Sequence, residues 1–266
     1  MSGLFNPTVA GVTLRATLGR KRALLFALPA LILILFTVAL KVSRPPSRPW
    51  PSHVLGTFGF SVLLPLTALI IGTSVLGAEI DDGSIIHLLA TPVRRSSVIV
   101  TKFVVATGLT MIFAAVPELI AALISGGGNA PPAQVHAGPG LTLVTQGVAI
   151  NGSRFALGLF VGALAGSLIY NAIFVMVSVA TTRAIAVGLL YVLIWETLLA
   201  NFVSGARLLS VSHYGLGIAN GIANDPGLNA GLSVVTSVVM GAIVTVAALA
   251  VAVNLLSSFT LKGDPA

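Results

Sequence analysis

The chain contains no cysteine and very little charge. Only 8% of its 266 residues are charged and only 7 are acidic, against roughly 25% charged residues in soluble domains. Without cysteine there is no disulfide framework, no thiolate metal site and no cysteine nucleophile. Aromatics stand at 6%, too few for a channel that stacks sugars, and 4 Met, 4 His and no Cys argue against copper handling. His53, His87, His136 and His213 are scattered over connecting segments, so no pair has the i, i+3 or i+4 spacing of a metal site on one helix. A GxxxxGK[ST] phosphate loop is absent, so the chain does not bind ATP by that motif. Ser204-Gly205 and His213 share one connecting segment instead of placing nucleophile and base on separate packed helices. No catalytic residue and no metal ligand is expected.

Long apolar runs fill the sequence instead. Hydrophobic residues make up 56% of it, and the mean hydropathy is +1.04. Six runs, at about residues 23–40, 54–76, 98–125, 155–180, 184–203 and 230–256, are long enough to cross a bilayer as helices. The prediction is an all-α integral membrane protein, one multi-pass domain over residues 1–266. The net charge of +7 and pI near 10.6 do not point to nucleic acid, because the basic residues flank apolar spans instead of forming a basic module. They face anionic lipid and set topology. Arg15, Arg20, Lys21, Arg22, Arg94, Arg95, Lys102, Arg183 and Lys262 fall on one side, against Lys41, Arg44, Arg48, Arg154 and Arg207 on the other. The richer side is predicted to be cytoplasmic, with both termini there. No cleaved signal peptide is expected, since the first apolar run follows Lys21-Arg22, is long, and lacks a small-residue cleavage site.

Local features refine this plan. Asn6-Pro7 reads as a helix start, and Phe5, Val9, Val12 and Ala16 then share a face, as in an interfacial helix lying on the inner leaflet. The segment from Gly126 to Gly152 carries no Asp, Glu, Lys or Arg and reads as an irregular outer loop. Gly158, Gly162 and Gly166 form one helical stripe that lets two backbones approach, within the subunit or across a dimer seam. Glu118, after Pro117, and Glu196, after Trp195, lie inside apolar runs toward the outer half. A carboxylate in hydrocarbon is costly, so each should face protein, water or a partner. They are candidates for a transport path, with a hydrogen-bonded structural role as the competing reading.

Charge concentrates between Gly77 and Lys102. The order Glu79-Ile80-Asp81-Asp82-Gly83-Ser84-Ile85-Ile86-His87-Leu88-Leu89-Ala90-Thr91-Pro92, then Arg94-Arg95 and Lys102, resembles the loop between the second and third spans of ABC-2 type transporter permeases. Ser84 stands where that pattern usually has Thr, and Asp81-Asp82 where a second Glu is common. Trp195-Glu196-Thr197-Leu198-Leu199, Leu208-Leu209-Ser210 and His213-Tyr214 look like the fifth span and outer hairpin of actinobacterial members. Ser204 to Leu228 resembles the family's short outer re-entrant helices, tolerable in a membrane only if buried in protein or facing a wet cavity.

The resemblance implies the permease subunit of a bacterial ABC exporter in the cytoplasmic membrane, moving an amphiphilic drug, lipid or peptide by alternating access. It implies a coupling helix from about Ala78 to Leu89, with Glu79, Asp81, Asp82, Gly83, Ser84, Ile85, Ile86, Leu88 and Leu89 as its contact residues. The acids at its start suit the helix dipole. It also implies two ATP-binding subunits, which would hold the ATP and magnesium, and a second permease copy or a related permease. An ion-coupled secondary transporter or channel is the alternative, and the lack of a convincing inverted repeat disfavours it.

Overall fold

A lone apolar segment can cross lipid only as a helix, because only there do its backbone bonds close within the segment. The computed structural model describes residues 5–43, 50–81, 95–127, 134–136, 142–144, 151–200, 204–228 and 230–258, and these are mostly helical. Helix α1 (Pro7–Thr17) begins where Asn6-Pro7 predicts: Asn6 Oδ1 accepts from the Thr8 N–H at 3.0 Å and the Val9 N–H at 3.4 Å. Its packed face is Val9, Thr13 and Thr17, while Phe5, Val12 and Ala16 are exposed. Thr13 returns its hydroxyl to the Val9 carbonyl at 2.8 Å, so a polar residue is buried with its donor satisfied.

The apolar helices follow in order. They are α2 (Arg20–Ser43), α3 (Trp50–His53, Val54–Leu63 and Leu64–Asp81 in one run), α4 (Arg95–Thr110, Met111–Ala115 and Val116–Ser125), α5 (Gly152–Ala180) and α6 (Ala184–Leu190 with Tyr191–Leu199). A short 3₁₀ helix, Ser204–Leu209, leads to α7 (Val211–Ala223); a single 3₁₀ turn, Pro226–Leu228, precedes α8 (Val234–Ser258). Five of these runs are long and apolar enough to cross a membrane, and Ala184–Leu199 is a shorter apolar helix. The helices overrun their apolar centres: α3 starts at Trp50, α4 at Arg95 and α5 at Gly152, where Asn151 caps the start by accepting from the Ser153 N–H at 3.1 Å. α8 starts later than its apolar run, after Gly231 at φ 69°, a conformation glycine adopts at no steric cost.

Among the described residues three stretches are π-helical: Val54–Leu63 in α3, Met111–Ala115 in α4 and Tyr191–Leu199 in α6. The second directly precedes Pro117, which lacks an N–H and crowds the carbonyl four residues back; a widened turn relieves both. Within the loop expected to be irregular, β1 (Gln134–His136) pairs antiparallel with β2 (Thr142–Val144), with Val135 opposite Leu143.

Helix α5 is the centre of the bundle and touches α3, α4, α6, α7 and α8. Its glycine stripe faces neighbours in the same chain. A Cβ at Gly158 would lie 2.6 Å from the Ala219 carbonyl oxygen, one at Gly162 2.8 Å from Ala219 Cβ, and one at Gly166 2.6 Å from Leu64 Cδ2. Backbone contact between α5 and α7 therefore uses the stripe. Phe60, Tyr170, Phe174 and Tyr214 fill the core on that side, and Phe26, Ile71 and Ile99 a second core. α2 and α8 are only 17% buried over their apolar windows, against 67% for α3, which leaves their outward faces to lipid or another subunit.

Candidate functional site

The segment between α6 and α7 turns back onto Glu196, which is 0% exposed. Its Oε1 accepts from Tyr191 Oη at 3.0 Å and the Val211 N–H at 2.8 Å. Its Oε2 accepts from Ser210 Oγ at 2.7 Å and from Ser212 through both Oγ at 2.7 Å and N–H at 3.3 Å. Val211 and Ser212 open α7, so a carboxylate from the fifth span caps the next helix, taking two of the N–H groups a helix start leaves unmet. The neighbouring Trp195 Nε1 donates to the Leu209 carbonyl at 3.1 Å, and Tyr214 Oη donates to the Leu208 carbonyl. A second buried acid, Asp225, ties the far end of α7 down: it accepts from Ser52 Oγ at the start of α3 and, at 2.8 Å, from the Gly227 N–H.

Ser210 also lies 3.0 Å from His213 Nδ1. This is not a hydrolytic triad, because Glu196 bonds the serine and not the imidazole, whereas the acid of a triad orients the histidine. Burial lowers the His213 pKa from its ordinary value; the Glu196 carboxylate opposes that shift and Arg207 adds to it. Among the described residues no cluster of three or more His, Cys, Asp or Glu is placed to hold a metal.

Glu118 lies apart from this network. It is 3% exposed on α4 and rests against the π-helical part of α3 at Gly59. The two acids read together from the sequence thus occupy separate environments.

At the opposite end of the bundle, three residues at the start of α4 each bind a different element. Arg95 Nη1 donates to the carbonyls of Leu256 at 2.9 Å and Ser257 at 2.6 Å, at the end of α8. Thr101 Oγ1 accepts from the Asn6 N–H at 3.0 Å, and the fully buried Lys102 donates from Nζ to the Val75 carbonyl of α3 at 2.5 Å. Arg95 and Lys102, read from sequence as topology charges, are structural ties as well. Their signal was an arginine and a lysine seven positions apart, two helical turns on one face. Ser52, Ser210, Ser212 and Asp225 carried no such signal, because each ties to a carboxylate or hydroxyl 14 or more positions away. Glu79 and Asp81 lie in the last turn of α3. Asp82, Gly83, Ser84, Ile85, Ile86, Leu88 and Leu89 lie outside the described residues.

Beside this end, α2, α3, α5 and α6 surround a cavity of about 790 Å³ that is open on one side. Leu25, Phe26 and Ile185 give it apolar walls; Thr73, Ser178 and Arg183 add hydroxyls and a positive group. A family model described as ABC-2 family transporter protein matches residues 18–195. The chain belongs to the ABC-2 transporter family. It is a membrane permease component of an ABC transporter, a family whose members work with an ATP-binding subunit. The matched region of this ABC-2 permease covers α2 through most of α6 and stops one residue before Glu196; the clamp on α7 and all of α8 lie beyond it. No curated protein matches the chain.

Proposed function

We propose that the chain is the transmembrane subunit of an ATP-driven exporter that moves an amphiphilic small molecule, lipid or peptide out across the bacterial cytoplasmic membrane. The cavity between α2, α3, α5 and α6 carries this reading: its volume of about 790 Å³ lies in the range of drug-sized sites, and apolar walls beside hydroxyls and Arg183 match an amphiphile. One chain leaves the cavity open on one side, which supports closure by a second permease. Two ATP-binding subunits, with ATP and magnesium bound in them, engage the segment from Ala78 to Leu89. Their closure moves that segment and rocks the spans between inward- and outward-open arrangements. The clamp on α7 makes the 204–228 hairpin an outer gate, and Glu196 serves that gate as an anchor. Both termini lie in the cytoplasm.

Two variants of the reconstituted complex test this reading. Ser74→Trp fills the cavity, where Ser74 is a wall residue, and should abolish substrate-stimulated ATP hydrolysis while leaving the basal rate. Glu79→Lys with Asp82→Lys should leave the permease inserted and end stimulation, because turning an interfacial attraction into repulsion costs several kcal/mol. Wild-type stimulation in an assembled Ser74→Trp complex overturns the cavity assignment, and in the double variant it overturns the coupling assignment.

A further inference from the structure

Glu118 takes no part in the cavity at the inner end or in the clamp on α7, and its surroundings are of a different kind. Its Oε1 has no hydrogen-bond partner among the described residues, although the side chain is 3% exposed. The carboxyl group lies on the backbone of Gly59, where a Cβ would come within 2.6 Å of both oxygens, so it uses space that only glycine leaves. Beside it is a cavity of about 10 Å³, about the space of a single water. The walls include Leu33 of α2, Phe60 and Thr67 of α3, Phe113 of α4 and Ala163 of α5, and among the described residues no titratable or charged group other than Glu118 faces the space from any of these helices.

We infer that Glu118 is a proton-binding site, loaded in this arrangement of the helices and exchanging with the outer side. An ionised carboxylate gives up its hydration on entering such a site and needs a compensating donor or cation. The described residues give Oε1 no donor, and the one water that the space could hold would offer far less than the hydrogen bonds that surround the Glu196 carboxylate. A hard metal cation is held by about six or more oxygens, and the one hydroxyl in the wall among the described residues, Thr67 Oγ1, already donates to the Leu63 carbonyl at 2.8 Å. An ammonium headgroup does not fit a space the size of one water. The proton is the cation that the site can take.

The helices around the acid supply a way to release it. Helix α3 is π-helical at the contact, over Val54–Leu63, and α4 is π-helical just before it, over Met111–Ala115, and such widened turns are common at functional sites. Removing the extra residue from the turn in α4 would rotate the following residues by about 100° about the axis, carrying Glu118 off Gly59. Glu118 is seven residues from the end of α4 at Ser125 and 23 from its start at Arg95. At 1.5 Å per residue this is about 10 Å from the outer end and about 35 Å from the inner one. The proton therefore comes from outside in the orientation set by the basic residues. This inference does not depend on which substrate the permease moves.

Dicyclohexylcarbodiimide tests it on the intact permease in proteoliposomes. This apolar reagent reaches the acid when the helices move to exchange the proton; it takes the proton of a neutral carboxylic acid onto a nitrogen while the carboxyl oxygen adds to its central carbon. The O-acylisourea then rearranges to a stable N-acylurea, with no leaving group and no change of oxidation state. At pH 7 a water-facing carboxyl of pKa about 4 is protonated about one part in a thousand, so label at Glu118 should exceed label at water-facing acids by at least about a hundredfold. Peptide mass spectrometry reads the site. The label should disappear in Glu118→Gln, and in the wild type it should fall as external pH rises. Absence of label at Glu118 in the folded wild type, or label independent of external pH, overturns the proton site. Protection by sodium at constant pH also overturns it, assigning the site to a metal cation. Transport of the substrate is not part of this readout, so failure of the proposed export function leaves the result interpretable.

Discussion

Replacing Glu196 gives a graded test of the clamp between the fifth span and α7. The carboxylate accepts at least five hydrogen bonds, from Tyr191, Ser210, Val211 and, twice, Ser212. Hydrogen bonds between membrane helices average about 0.6 kcal/mol, so Glu196→Ala should cost about 3 kcal/mol, a severe loss for one side chain. Glu196→Gln keeps a carbonyl oxygen for Tyr191 and Val211, and the serine hydroxyls can turn to accept from its amide. The Ser212 N–H loses its acceptor, for a cost of about 1 kcal/mol. Thermal unfolding followed by tryptophan fluorescence reads this directly, because Trp195 donates to the Leu209 carbonyl at the same hinge. A Trp50→Phe background removes the other tryptophan. The expected order of Tm is wild type, then Gln, then Ala. Wild-type Tm in both variants, or a loss in Gln confined to transport of cationic substrates, refutes the clamp and returns Glu196 to the transport path.

Three further outcomes follow from the same structure. Gly162→Val should destabilise the protein by about 1–3 kcal/mol through overpacking, since the new Cβ meets the Gly215 carbonyl and Ala219; a smaller effect from Leu157→Val, on an exposed position of the same helix, is the control. His213 has its pKa lowered by burial. The unfolded chain therefore binds the proton first, and stability is full above the ordinary value near 6.5 and declines as pH falls below it; His213→Gln should flatten this slope in thermal melts between pH 7 and 5. Single cysteines at the exposed positions Asn151 and Thr182 should react with an impermeant maleimide from outside and inside respectively, in a chain with no native cysteine; reaction of both from one side overturns the topology.

The spans were legible because each long apolar run carries its own signal, and Asn6-Pro7 announced α1 because a capping side chain and its helix are adjacent. Features that depend on two distant segments were not. The burial of Lys102 depends on how closely α3 approaches α4, and its charge alone placed it only near an interface. The glycine stripe was readable as a contact surface, but its partner α7 lies about fifty residues away. The side of α1 that packs on the bundle carries Thr13 and Thr17, and polarity did not reveal it, because a hydroxyl such as that of Thr13 can bond its own backbone and face the core. Glu118 and Glu196 look alike in sequence, each after a bulky or cyclic residue in an apolar run. Only their surroundings separate a capping acid from one left without a donor.

The ties made by Arg95, Thr101 and Lys102 have a mechanical consequence. They join the start of α4 to the last turn of α8, the head of α1 and the body of α3 within two helical turns. In the proposed exporter a thrust arriving at residue 95 would therefore meet a stiff knuckle and turn four helices together. The strain would fall where the backbone yields most easily, in the widened turns of α3 and α4 at the other end. The tied end would then act as a handle and the far end as a flexure, and a short stroke at the handle would become a change of helical phase around Glu118 and Gly59.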